Sequence, residues 1–106
     1  MPKYLVQASY TADGIKGVLE KGGSSRREAV EPMVEALGGS VEGFYFAFGD
    51  ADAYVVLDMP DNVSVAAVAM TVSASGAVSA KTTVLLTPEE VDEASQKSVD
   101  YTPPGS

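Results

Sequence analysis

The sequence predicts an α+β domain of the ferredoxin-like kind: a βαββαβ order, an antiparallel sheet with helices on one side, and one more helix at the end. Three observations predict it. Stretches that alternate with period two are separated by stretches with apolar residues at helical spacing. Gly38 to Met59 (GGSVEGFYFAFGDADAYVVLDM) reads as a hairpin whose two faces both carry apolar residues. At 106 residues, 45% hydrophobic and 21% charged, the chain suits one core and one domain. That domain is expected over 1–97, with a flexible tail over 98–106.

Lys3–Tyr10 alternates as a strand, with Tyr4, Val6, Ala8 and Tyr10 on one face. Thr11–Lys21 places Ile15, Val18 and Leu19 at helical spacing, weakened by Gly14 and Gly17. Gly22-Gly23 breaks the pattern. Ser25-Arg26-Arg27-Glu28 then has capping-box spacing: the Ser hydroxyl accepts a free backbone N–H and the Glu reaches back. Val30, Met33, Val34 and Leu37 continue that helix until Gly38-Gly39, and Pro32 inside it removes a donor, which predicts a kink. The hairpin turns through Gly49-Asp50-Ala51-Asp52. Asp61 caps a helix from Asn62 to about Ser75, made almost wholly of Val, Ala, Ser and Met and therefore expected to be buried on several sides. Gly76 closes it. Ala77–Thr87 alternates as the last strand, and Thr87-Pro88-Glu89-Glu90 opens a short helix with Pro at its first position and a second capping box.

An even-length hairpin loop keeps Phe44, Phe46 and Phe48 on the face of Ala53, Val55 and Leu57, which should meet the helices. The opposite face then carries Tyr45, Ala47, Asp52, Tyr54, Val56 and Asp58, aromatic with acidic ends. Burying Tyr45, Tyr54 and Val56 together with Val6 is worth on the order of 8 kcal/mol before ordering costs. A homodimer that covers this face is the expected state.

Composition excludes much chemistry. With no Cys and no His there is no disulfide, thiolate site, imidazole base or His metal ligand. A net charge of −8 disfavours nucleic acid and anionic membrane surfaces as partners. No stretch reads as a signal peptide or reaches transmembrane length, so a cytoplasmic location is expected. Nothing in the pattern asks for a cofactor.

The order of these segments resembles the GYD domain family, small proteins of the dimeric α/β-barrel type. The opening strand with TADGIK, RREAVEPMVEALGG, VEGFYFAFG, YVVLDMPDN and GAVSAKTTVLLTPEE carry the resemblance over most of the chain. The family's Gly-x-Tyr-Asp motif falls on Gly49, Asp50, Ala51 and Asp52, with Ala51 where the tyrosine would stand, so no role of that tyrosine carries over. The resemblance implies a ferredoxin-like protomer whose sheet pairs with its twin, and fold alone does not choose a function.

Asp52 and Tyr54 lie two apart, near Tyr45 across the hairpin, so Asp52 is a candidate base and the two phenols candidate substrate-orienting groups. Asp52 closing a turn while both tyrosines fill a dimer core is the plainer role. Arg26 and Arg27 at a helix start are candidate anion-binding residues, or a solvated capped start. Lys81, on a face with Ser79 and Thr83, is a candidate for an anionic ligand or an ion pair. Asp50 and Asp52 alone make too few ligands for a metal, and none is expected. Three functions stand open. The first is a homodimer binding a small, partly apolar molecule between sheet and helices, with Tyr45, Tyr54, Arg26, Arg27 and Lys81 as its contacts. The second is a cofactor-independent oxygenase or isomerase using Asp52 with Tyr45 or Tyr54. The third is a structural or regulatory assembly subunit.

Overall fold

The chain runs β1 (Lys3–Tyr10), α1 (Ala12–Lys21), α2 (Gly23–Ala36), β2 (Ser40–Phe46), β3 (Ala53–Asp58), α3 (Asn62–Ala74), β4 (Val78–Leu85) and α4 (Pro88–Gln96). The structure is a computed structural model that describes residues 1–105; of the expected tail, Ser106 lies outside the described residues. The strands form one antiparallel sheet in the order β2-β3-β1-β4, the ferredoxin-like topology expected from the element order. The first helical stretch is two helices that meet at Gly22, whose φ of 83° needs a residue without a side chain.

Helix starts follow their caps. Thr11 accepts the Gly14 N–H for α1, and Asp61 accepts the Ser64 N–H at 2.8 Å for α3. Thr87 and Glu90 form the expected capping box of α4 in both directions. The box expected at Ser25 is absent. α2 begins three residues earlier, at Gly23 with Gly22 as its N-cap, and the Ser25 hydroxyl donates to the Gly22 carbonyl at 3.0 Å. The left-handed Gly22 starts the new helix before Ser25 is reached, so Ser25 lies inside the first turn.

The hairpin faces fall as the even loop requires. Phe44 pairs with Val55, Tyr45 with Tyr54 and Phe46 with Ala53, past a register shift between Val41 and Gly43. Phe48 is a correction: β2 ends at Phe46, and Phe48 stands in the loop fully exposed instead of packing on the helices. Val6 is another. Across the sheet it pairs with Val55, so it joins the helix-side core with Tyr4 and Ala8. Leu5 takes its place on the remote face, opposite Val56 and Thr83. One apolar residue replaces another there, so the burial expected of that face hardly changes.

The core lies between the sheet and α2 and α3, with Tyr4, Val34, Leu57 and Met59 fully buried. Gly39 makes this closure possible, since a Cβ there would stand 2.5 Å from the Asp58 carbonyl oxygen. α3 meets the sheet through Val65, Val68 and Val72, and through Asn62, whose side-chain oxygen accepts from the Tyr4 hydroxyl of β1. Its outer side is bare: Val63 is 79% and Met70 72% exposed, so the burial on several sides expected of an uncharged helix is not met within one chain.

Candidate functional site

β1 ends on Tyr10, whose ring lies on the helix side and stacks on Phe46 at 6.4 Å between centroids; Phe46 in turn leans on Phe44 at 5.4 Å. The first turn of α2 comes down onto this aromatic row. A Cβ at Gly23 would stand 2.8 Å from the Phe46 ring, so only glycine admits so close an approach. Three residues further on, nearly one helical turn, Arg26 arrives beside Tyr10.

Asp52 completes the group from the hairpin. Its carboxylate accepts the Tyr10 backbone N–H at 2.8 Å, its own N–H donates to the Ala8 carbonyl, and its carbonyl accepts the Ala47 N–H. Burial raises the Tyr10 phenol above its ordinary value, the Arg26 guanidinium opposes that rise, and the Asp52 charge adds to it. Arg26 forms no ion pair among the described residues, although it is half-buried.

Two spaces meet at these residues. One is an apolar cavity of about 50 Å³ between the sheet and α2 and α3, lined by residues such as Ala8, Val55, Val68 and Val72. It is far smaller than the roughly 300–1,000 Å³ of a ligand pocket. The other is an open cleft of about 750 Å³ bounded by α1, α2, the end of α3 and the start of β4. Tyr10, Arg26, Val30, Met33, Val72 and Val78 line both. The cleft therefore has an apolar floor, an arginine at its inner end and Lys21, Asp13 and Glu28 among its walls.

Of the residues expected at a site, Arg26 lines this cleft and Asp52 supports its floor through Tyr10. Tyr45, Tyr54 and Lys81 line neither space. They share one row of the remote face, Tyr45–Tyr54–Gln7–Lys81, running edge to edge across the sheet. Tyr45 is 69% exposed there and Lys81 lies on the outer strand β4. Arg27 turns away and pairs with Glu31 one turn along α2, at 2.5 Å. Ala51, at the motif's tyrosine position, is buried. Among the described residues no group of three or more acidic side chains is placed to hold a metal ion, and no helix is long and apolar enough to cross a membrane.

The sequence places Tyr10 on a face of β1 but does not mark it as a site residue. Its partners stand 16 and 42 positions away, and no local spacing links them.

Residues 4–95 match the GYD domain family. No curated protein and no solved structure matches the chain.

Proposed function

The chain belongs to the GYD domain family, and from that premise and the cleft we propose that it is a homodimeric module binding a small molecule with an apolar body and one acidic group. The observation that carries this reading is Arg26, a half-buried cation without an ion-pair partner among the described residues, where an open cleft of about 750 Å³ narrows onto apolar walls. A guanidinium in that position selects a planar anion such as a carboxylate and holds it by paired hydrogen bonds. Val30, Met33, Val72 and Val78 then receive the apolar part.

The dimer half of the reading rests on the remote face of the sheet. The Tyr45–Tyr54–Gln7–Lys81 row adjoins the row of Gly43, Val56, Leu5 and Thr83. Leaving Leu5, Tyr45, Tyr54 and Val56 wet forgoes on the order of 8 kcal/mol of gross burial. An equivalent face on a second copy hides them at no cost in new sequence.

Thermal-shift and calorimetric titration with small aromatic and branched aliphatic acids, each beside its neutral amide, test the ligand half. The acids should raise the melting temperature and the amides should not, and Arg26→Ala should abolish the difference. Equal responses to acid and amide, or an acid response that survives Arg26→Ala, would overturn it.

A further inference from the structure

α4 stands apart from the body that carries it. None of its residues is buried, and it packs substantially against no other element. Residues 91–105 are exposed throughout, including Val91 at 52%, Val99 at 80% and Tyr101 at 69%. The molecule is correspondingly long, 56 × 33 × 23 Å, with a radius of gyration of 16.9 Å. A compact domain of this length has one of about 13 Å.

Such a helix does not persist alone. It has 9 residues, and isolated helices below about 12–15 residues are marginal in water even with good caps. Its capping box fixes where it starts, and supplies nothing to hold its far end or its Val91 side.

We infer that residues 88–105 are an arm that docks on a second copy of this chain, each protomer of the dimer giving one arm and receiving one. The inference rests on the dimer reading above and adds to it a second contact. The need for one can be worked from the sheet. Strands of 6 to 8 residues, spaced about 4.8 Å with a rise of about 3.3 Å per residue, give a face of roughly 450 Å² in projection. A stable interface takes about 800 Å² from each partner. An arm of this length, laid along the other protomer, supplies an area of the missing size. It also brings carboxylates that individual cations of the body can receive, although the body as a whole is acidic, with ten carboxylates and six cations. Residues 88–105 hold five carboxylates and one lysine, while Lys16, Lys21 and Lys81 on the body make no ion pair among the described residues.

The full chain tests this directly. Its mass by light scattering and the hydrogen exchange of residues 88–96 are followed together from high to low micromolar concentration. The inference expects a dimer in which these amides exchange at least about ten-fold slower than in a free peptide, with protection lost as the dimer dissociates. Val91→Asp, at an exposed position that cannot disturb the core, should raise the dimer dissociation constant about ten-fold and release the arm. A dimer whose α4 amides exchange at free-peptide rates, with Val91→Asp neutral, overturns the arm and leaves the sheet-to-sheet dimer standing. Protection that persists in the dissociated chain overturns the arm as well, placing α4 on its own body. A monomeric mass at every concentration overturns the dimer reading and the arm together.

Discussion

Two glycines three residues apart in α1 give opposite expectations for the same substitution. Alanine in place of a helical glycine gains up to about 1 kcal/mol from propensity and from the unfolded chain's lost freedom. At Gly17 nothing lies within 4 Å of the Cβ that would be added, so Gly17→Ala should keep most of that gain. At Gly14 the new Cβ would stand 2.2 Å from the Ala77 carbonyl oxygen, where an ordinary C···O approach is about 3.3–3.6 Å. α1 must therefore retreat from β4 by about 1 Å. The same carbonyl accepts the Thr11 N–H at 3.0 Å and the Thr11 hydroxyl at 3.3 Å, so the retreat strains both bonds. Two weakened bonds at about 1 kcal/mol each, added to overpacking, outweigh the helical gain. Gly14→Ala should thus destabilise by about 1–2 kcal/mol and Gly17→Ala stabilise by about 0.5–1 kcal/mol. Urea unfolding at one fixed protein concentration, read as midpoints with unchanged slopes, measures both. Each kcal/mol also moves the melting temperature by about 4–8 °C. If Gly14→Ala stabilises as much as Gly17→Ala, α1 does not lie against Ala77 and the cleft beside it is wrongly drawn.

Three further expectations follow from particular contacts. The raised Tyr10 phenol contributes stability that is complete below the unfolded tyrosine's value and is lost as pH rises through the folded one, so urea midpoints should fall on the alkaline side. Because Arg26 opposes that rise, Arg26→Met should move the Tyr10 ultraviolet titration upward; an unmoved titration would separate the two side chains. The Asp61 carboxyl is held below its ordinary value by the Ser64 N–H at the start of α3, as Glu90 is by Thr87 in α4. Asp61's contribution is therefore present above the ordinary carboxylate range and lost as pH falls through its lowered value. Asp61→Asn should flatten the acid limb of the stability profile, and an unchanged limb would remove Asp61 from the account. Finally, Val56→Glu on the remote sheet face should dissociate the proposed dimer in sedimentation, whereas Met70→Glu on the bare side of α3 should not. The reverse result would move the interface to α3.

Much of this fold is legible because it is local. Side-chain alternation within β1, the even hairpin loop and the caps at Asp61 and Thr87 are each set within a few residues, and each is found where the sequence puts it. The pairing of Tyr45 with Tyr54 is legible for the same reason: one tight hairpin carries both. Where two local rules compete the sequence misleads, as at Ser25, which has the spacing of a cap but follows a glycine already turned left-handed. Phe48 fails differently. Alternation says which face a residue takes while the strand lasts, and β2 stops two residues earlier.

The amino-acid order by itself determined the set of elements, their faces and the absence of histidine and cysteine chemistry, since periodicity and composition need no distant partner. Only the tertiary structure decided that Val6 lies over Val55, that α3 and α4 keep apolar surface bare, and that Tyr10, Arg26 and Asp52 meet. Those outcomes depend on how one strand registers against another far along the chain and on how closely a glycine lets a helix approach. Neither is written in any window of neighbouring residues.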